Sequence, residues 1–250
     1  MAQLHTKDPG IGLQIESSEA RRVATLLGMA AGFLEAYTYL ERGGVFANAQ
    51  TGNMALLGVY LIQGHWREVI NYLVPLLAFV LGIFLTRLLR YISEHRAANL
   101  LHWRQWVLGL ELVFLWSVGF IPVGEGWNRL ATLWVSFVCA LQLEAFRKVH
   151  GQTFATTMCT GNLRSGVELV CLFWKTGNWE HLNGAMNYFS VIGSFVLGAA
   201  VSGIVCPLLS ERAVWVACLP LSIAFGWLFI GAVDSSEVYT TGKHSYSSKT

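Results

Sequence analysis

The sequence predicts an all-α membrane protein with about six transmembrane helices and two shorter re-entrant or half helices, arranged as a 3+3 inverted internal repeat. Three observations lead to this fold class. The 250 residues are 54% hydrophobic and only 13% charged, whereas a soluble domain carries about 25% charged residues. The apolar residues occur in blocks of about 20, the length that crosses a bilayer. A Thr-Gly-Asn tripeptide occurs in each half of the chain.

Six apolar segments are long enough to span a membrane, and two shorter ones begin with the tripeptide. The long segments are 23–40, 69–89, 106–123, 130–146, 185–209 and 213–233. The shorter segments begin at Thr51 and Thr160. A helix over 53–63 is about 16 Å long, half of a hydrocarbon core of about 30 Å. These two segments are therefore expected to enter the membrane without crossing it.

Further short matches relate the two halves of the chain in the same order. The Glu-Ala pairs at 35–36 and 144–145 precede their tripeptides by the same interval, and Phe-Val-Leu-Gly occurs at 79–82 and at 195–198. The chain is therefore interpreted as two copies of one unit in a single membrane domain. The predicted divisions are a polar N-terminal segment at 1–20, the membrane domain at 21–234 with repeats at about 20–125 and 128–234, and a polar C-terminal tail at 235–250.

The distribution of Lys and Arg favours inverted over parallel repeats. With six spans and a cytoplasmic N-terminus, four arginines fall outside and Arg164 lies within the second short segment, while the other basic residues fall inside, as the positive-inside rule requires. The four outer ones are Arg42, Arg67, Arg129 and Arg212. Eight full spans would either divide the basic residues evenly or place the basic cluster at 87–104 outside. We therefore expect both termini in the cytoplasm.

The two tripeptides are the predicted substrate-binding elements. A helix that begins inside the membrane leaves its first N–H groups unpaired, and its positive dipole end attracts anions or polar ligands. Paired half-helix ends of this kind form the central sites of many secondary transporters. The candidate binding residues are Thr51, Gly52, Asn53, Thr160, Gly161, Asn162 and Arg164. The alternative is that each tripeptide only caps and packs a broken helix.

Glu35 and Glu144 are the predicted coupling or gating residues. They occupy equivalent positions, one span before each tripeptide, and a carboxyl group at membrane depth usually faces a partner or a cavity. Either residue could carry a proton or bind a cation. The alternative is that each is hydrogen-bonded to the exposed backbone of the neighbouring half helix.

Other intramembrane polar residues have structural interpretations that compete with functional ones. Glu111 has no acidic counterpart in the second repeat, so a hydrogen bond between helices is the favoured role. Arg164 and Glu168 are four residues apart and can pair on one helix face. Asn48 and Gln50 are expected to satisfy the backbone of the first re-entrant turn rather than to bind a ligand.

Several classes of function are disfavoured by the sequence. A net charge of +2 provides no broad basic surface for nucleic acid. The seven histidines lie at the edges of the apolar spans or outside them, which disfavours a haem-carrying bundle. The sequence contains no GxSxG or HExxH motif, and the five cysteines include no CxxC pair. We therefore expect no enzyme activity, no cofactor and no metal.

The residues 30–58, AAGFLEAYTYLERGGVFANAQTGNMALLG, with FATTMCTGN in the second half, resemble the YoaK-like family of small bacterial membrane proteins. The resemblance covers essentially residues 20–234. It implies a six-span protein of the bacterial inner membrane with a permease-like role. The family usually has Asp at the position of Glu35, which keeps the charge. It often has Asn at the position of Glu144, which argues against a mechanism that needs exactly one acid.

The favoured function is a small secondary transporter or permease for a small polar or anionic solute, with its site at the paired half-helix ends. A channel of the same architecture, or a membrane scaffold for a partner protein, is the alternative. A channel needs a continuous polar path, yet the spans 69–89 and 185–209 contain few polar residues. The lipid bilayer is the expected environment, and six thin spans make a homodimer plausible.

Overall fold

A computed structural model describes residues 9–95, 100–146 and 159–227. Within these ranges the chain is helical and contains no strand. The helices are α1 (Pro9–Glu41), α2 (Gln50–Gln63), α3 (Trp66–His95), α4 (Leu100–Val118), α5 (Glu125–Ala145), α6 (Cys159–Thr176) and α7 (Trp179–Leu209), followed by a 3-10 turn (Ser210–Ala213) and by α8, described over 214–227. The predicted tail at 235–250 and the end of the last predicted span lie outside the described residues.

The predicted all-α class is confirmed for the described residues, and every predicted segment coincides with a helix. Thr51 and Thr160 lie in the first turns of α2 and α6, which contain 14 and 18 residues. Three helical stretches in the described ranges are long and apolar enough to cross a membrane: Arg21–Glu41, Trp66–Ile92 and Trp179–Trp227. Helices α4 and α5 fall below that hydropathy because they carry polar side chains such as Arg104 and Gln142.

Glycines allow the longest helices to pack at short distances. A Cβ atom at Gly198 of α7 would lie 2.9 Å from the carbonyl carbon of Met29 in α1, and one at Gly82 of α3 would lie 2.7 Å from the carbonyl oxygen of Phe137 in α5. Small residues that admit a neighbouring backbone are typical of helix interfaces in membranes. The two tightest helix contacts, α1 with α7 and α3 with α5, therefore use glycines at matching positions of the Phe-Val-Leu-Gly sequences.

Helices α1 and α7 run in the same direction. In the first half of both helices, Arg21 Nη1 donates to Asn187 Oδ1 at 3.3 Å. Near their ends, the Tyr37 hydroxyl donates to the carbonyl of Glu211 at 3.0 Å. The C-terminal end of α1 therefore lies at the same end of the bundle as the turn between α7 and α8.

Helices α3 and α5 also run in the same direction. Arg67, at the start of α3, forms an ion pair with Glu125, at the start of α5. Near the far ends, Arg87 Nε lies 3.1 Å from Glu144 Oε1. The two helices therefore begin at one end of the bundle and pass each other along most of their length.

Helices α1 and α5, which open the two predicted repeats, run in opposite directions. Arg42, just after α1, donates to Asn128 Oδ1 near the start of α5 at 3.4 Å, and Gln142 near the end of α5 donates to the carbonyl of Leu27 in α1 at 2.9 Å. Helices α1 and α4 terminate, and α3 and α5 begin, on the same side of the bundle. We call this side the Arg42 end. Helix α5 therefore leaves this end, whereas α1 approaches it.

Candidate functional site

The candidate site is built around the chain reversal between α1 and α2. The carboxylate of Glu35 accepts hydrogen bonds from the backbone N–H of Asn48 at 2.6 Å and of Ala49 at 3.0 Å. Glu35 precedes Glu41, the last residue of α1, by about 9 Å of helix. The chain therefore turns back after α1 and begins α2 at the depth of Glu35, inside the bundle. A carboxylate bound to N–H groups at a helix start is electrostatically favourable.

Asn53 links α2 to the irregular segment that precedes it. Its side chain is fully buried; Oδ1 accepts from the backbone N–H of Phe46 at 3.0 Å and Nδ2 donates to the carbonyl of Phe46 at 2.7 Å. Nδ2 also donates to Gln50 Oε1 at 3.0 Å, and Gln50 Nε2 donates to the carbonyl of Ala47 at 2.9 Å. Asn53 and Gln50 therefore satisfy backbone groups of an irregular segment that would otherwise be buried unpaired.

The other two residues of the first tripeptide differ in exposure. A Cβ atom at Gly52 would lie 3.1 Å from the ring of Phe46, which itself stacks on Tyr39 with 5.2 Å between ring centroids. Gly52 therefore leaves room for this aromatic pair. Thr51 is exposed and remains accessible to a ligand.

The second tripeptide is more open than the first in the part of the chain that is described. Thr160 and Gly161 are exposed, whereas Asn162 is buried and hydrogen-bonded or otherwise paired. A Cβ atom at Gly161 would meet no atom within 4 Å. The segment that precedes α6, including Phe154 and Ala155, lies outside the described residues.

Arg164 is brought to the start of α6 without the predicted intrahelical partner. Arg164 and Glu168 are both exposed, and among the ion pairs of the described residues none joins the two. Arg164 therefore lies one turn after Thr160 on the same face of α6, near the end of the helix where the dipole is positive. An anion is the complementary ligand for this arrangement.

Glu35 and Glu144, which occupy equivalent positions of the two predicted repeats, have different partners. Glu144 is paired with Arg87 through Oε1, and its side chain is 14% exposed, whereas Glu35 binds backbone N–H groups. The predicted alternative of a glutamate bound to the half-helix backbone thus describes Glu35. The two acids are therefore chemically distinct despite their equivalent positions.

Glu35 lies near residues of both repeats. Its carboxylate interacts electrostatically with Cys139 of α5 and with Cys159, the first residue of α6. Cys159 is half-buried and directly precedes Thr160. Glu35 is therefore hydrogen-bonded at the start of α2 and within electrostatic range of the first residue of α6.

Glu111 of α4 is fully buried, and neither of its carboxylate oxygens has a hydrogen-bond partner in the described structure. The predicted hydrogen bond between helices is therefore not formed among these residues. Three further buried atoms have no hydrogen-bond partner among the described residues: Asn48 Oδ1, Ser136 Oγ and Gln142 Oε1. Buried polar atoms of this kind are rare. The interior therefore contains several polar atoms that no described contact explains.

Arg42 is a structural residue that the sequence analysis treated only as an outer charge. It is 1% exposed, and its Nε donates to the Tyr37 hydroxyl at 2.8 Å. Its terminal nitrogens donate to the carbonyls of Ile121 at 2.8 Å and Pro122 at 3.0 Å, beyond the end of α4. A single arginine after a membrane span resembles an interfacial anchor, so nothing in the sequence indicated that Arg42 would be buried.

No group of three or more metal-binding side chains occurs in the described ranges.

Several helical stretches are able to cross a bilayer, and α2 begins inside the bundle. These two features define a polytopic helical membrane protein. The chain belongs to the family described as "Protein of unknown function (DUF1275)", which matches residues 23–227. It is 24% identical over 209 residues to the UPF0700 transmembrane protein YoaK of Bacillus subtilis (strain 168), a match that covers 81% of this chain and 89% of that protein. No solved structure matches the chain. The predicted family resemblance and membrane class are thus confirmed.

Proposed function

We propose that the protein is a small secondary transporter, or permease, for a small polar or anionic solute. The proposed architecture has six spans, namely α1, α3, α4, α5, α7 and α8, and two half helices, α2 and α6, in a 3+3 inverted repeat. The opposite directions of α1 and α5 support the inversion, because these helices open the two repeats. Inverted repeats with broken helices at the membrane centre are a recurrent transporter architecture.

The observation that carries the proposal is the attachment of Glu35 to the backbone that immediately precedes α2. It accepts two hydrogen bonds from the backbone before α2 and interacts electrostatically with Cys159 at the start of α6. Half-helix starts present N–H groups and a positive dipole end to a ligand. A solute site between α2 and α6 therefore has Glu35 as its acidic member.

The two tripeptides take unequal parts in the proposed site. Asn53 is committed to the backbone of Phe46, so it shapes the site. Thr160, Gly161 and Arg164 are exposed and provide a hydroxyl, an open backbone and a positive charge. The solute is accordingly proposed to bind against α6, with Thr51 and Gly52 contributing from the first repeat and Asn162 supporting the second tripeptide.

Glu35 is proposed as the coupling group. While ionised, it holds the reversal before α2 through the N–H groups of Asn48 and Ala49. A bound proton or cation competes with these hydrogen bonds, and the reversal then becomes free to move. Glu144 is held by Arg87 and is proposed as a gating residue whose ion pair breaks as α3 and α5 separate.

The proposed location is the bacterial inner membrane, with a cytoplasmic N-terminus. The excess of basic residues on the cytoplasmic side in this orientation supports it. The Arg42 end then faces away from the cytoplasm. Because α1 approaches that end and α3 leaves it, α2 enters the membrane from the same side.

The test is solute binding and flux by the purified protein. Thermal unfolding in detergent is measured against a panel of small metabolites and ions, because a ligand stabilises the native state by an amount set by its concentration over Kd. Flux of each stabilising solute is then measured in proteoliposomes. Glu35→Gln is compared with Glu180→Gln, which removes an exposed acid at the start of α7.

We expect a saturable stabilisation and flux that Glu35→Gln abolishes and Glu180→Gln retains. Flux that is equal in the wild-type protein and Glu35→Gln would contradict the coupling role. No binding and no flux for any solute over the tested pH range would contradict the transporter and favour a scaffold.

A further inference from the structure

A polar cavity opens at the Arg42 end of the bundle, away from the two tripeptides. It has a volume of about 140 Å³ and lies between the end of α1 and the beginnings of α3 and α5. Its charged and amide-bearing lining residues are Arg42, Arg67, Asn71, Glu125, Asn128 and Arg129. The volume is sufficient for a small ion or a polar head group.

The cavity has an excess of positive charge, because three arginines face one glutamate. Arg67 is paired with Glu125, and the buried guanidinium of Arg42 is held by backbone carbonyls. No carboxylate is paired with Arg129 within the described ranges. In the wall of the cavity, Arg129 therefore has no carboxylate counter-ion, and Arg42 is compensated only by the dipoles of its hydrogen-bond partners.

Arg129 is oriented by a neutral partner that also provides a donor. Its Nε donates to Asn71 Oδ1 at 2.6 Å, and its two terminal nitrogens have no hydrogen-bond partner among the described residues. Because Asn71 accepts through Oδ1, its amide nitrogen is left as a donor. Arg129 and Asn71 thus present N–H groups from α5 and α3 to the same cavity.

Two helix dipoles add to this positive potential. Helices α3 and α5 both begin at the Arg42 end, so the positive ends of both dipoles lie there. Arg67 is the second residue of α3, and Arg129 lies in the second turn of α5. Cations near helix starts are destabilising, whereas anions are favoured there. The end of α1 at the cavity offsets part of this dipole potential, but the three arginines and one glutamate of the lining still favour an anion.

We propose that this cavity binds a phosphate-type oxyanion, with Arg129 and Asn71 as its main donors and Arg42 as a fixed cation at its base. Arg129 provides the forked donors that match oxyanion geometry. The exposed tryptophans Trp66 and Trp127 are the sequence neighbours of the lining residues Arg67 and Asn128. Exposed tryptophans are typical of the membrane interface. The oxyanion is therefore supplied either by inorganic phosphate or by the head group of an anionic phospholipid.

The test uses the full chain in nanodiscs of zwitterionic phosphatidylcholine. Inorganic phosphate is titrated by calorimetry at constant ionic strength. Arg129→Gln removes the principal donor, and Asn71→Asp retains an acceptor for Arg129 Nε while adding negative charge to the cavity. The matched control is Arg212→Gln, which removes an exposed arginine from the turn after α7 at the same end of the bundle.

A second arm measures retention of anionic phosphatidylglycerol by native mass spectrometry after extraction from mixed nanodiscs. We expect binding of phosphate, of phosphatidylglycerol or of both to weaken about tenfold or more in Arg129→Gln and Asn71→Asp, and to be unchanged in Arg212→Gln. The arm that responds identifies the source of the oxyanion.

Three results would overturn the proposal. One is the absence of binding in both arms for the wild-type protein. Another is equal weakening by Arg129→Gln and Arg212→Gln, which would indicate a diffuse surface charge effect. The third is unchanged binding in Asn71→Asp. Because neither arm measures flux and no variant alters Glu35, failure here is distinguishable from failure of the transporter proposal.

Discussion

Gly82 of α3 and Gly198 of α7 make the same kind of contact in the two halves of the molecule. Each lies against the backbone of the first helix in the other half of the chain: Gly82 against Phe137 of α5, and Gly198 against Met29 of α1. Each half is therefore completed by the first helix of the other half. This exchange explains why the tightest packing joins α1 with α7 and α3 with α5.

Gly198→Ala is expected to lower the free energy of unfolding by about 2 kcal/mol, because the added Cβ overlaps the backbone of α1 and the helices must separate. Gly203→Ala is the matched control, since a Cβ at Gly203 in the same helix meets no atom within 4 Å. Unfolding in mixed detergent micelles measures both. Equal stability of the two variants would show that the α1–α7 contact is looser than described.

Asn53→Ala is expected to destabilise the reversal before α2, because it leaves the N–H and the carbonyl of Phe46 without their partner. An unsatisfied buried group costs about 1–3 kcal/mol. Hydrogen exchange measured by mass spectrometry should show faster exchange in the peptides that cover 43–50. Thr51→Ala, at an exposed neighbouring position, should exchange as the wild-type protein does; faster exchange in both variants would contradict a specific role for Asn53.

Glu111→Met is expected to raise the free energy of unfolding by about 1 kcal/mol or more, because it replaces a buried carboxyl group that has no described partner with an apolar side chain of similar length. Thermal unfolding in detergent measures the change. Glu35→Met is the contrasting variant and should destabilise, since Glu35 accepts two hydrogen bonds. Destabilisation by Glu111→Met would instead reveal a polar partner for Glu111.

Arg42→Met is expected to lower the free energy of unfolding by about 1–3 kcal/mol, because it removes a buried guanidinium that donates to the Tyr37 hydroxyl and to the carbonyls of Ile121 and Pro122. Arg42→Lys should recover only part of this loss, since an ammonium lacks the planar fork of donors. Arg212→Met, at an exposed position, should change stability little. Chemical unfolding of the three variants provides the comparison, and a small loss in Arg42→Met would contradict the structural role.

The positions of the helices followed from the sequence because their causes are local. Apolar length marked the long helices, and the tripeptides marked the starts of α2 and α6. The Phe-Val-Leu-Gly match at 79–82 and 195–198 contains the two glycines that pack in equivalent ways, but only the structure showed their contacts. The predicted pairing of Arg164 with Glu168 was not found, because four-residue spacing permits an ion pair on a helix but does not enforce one between exposed side chains.

The sequence by itself determined the membrane class, the family and the residues that begin the short helices, since each depends on composition or on neighbouring residues. The inverted internal repeat stays a prediction. Only the tertiary structure decided that Glu35 binds the reversal before α2, that Arg42 is buried, and that Arg129 faces a cavity. The reason is distance along the chain: Arg42 and Pro122 are 80 residues apart, and Arg129 and Asn71 are 58 apart. Such partners meet only when the helices have packed, so no local pattern could assign them.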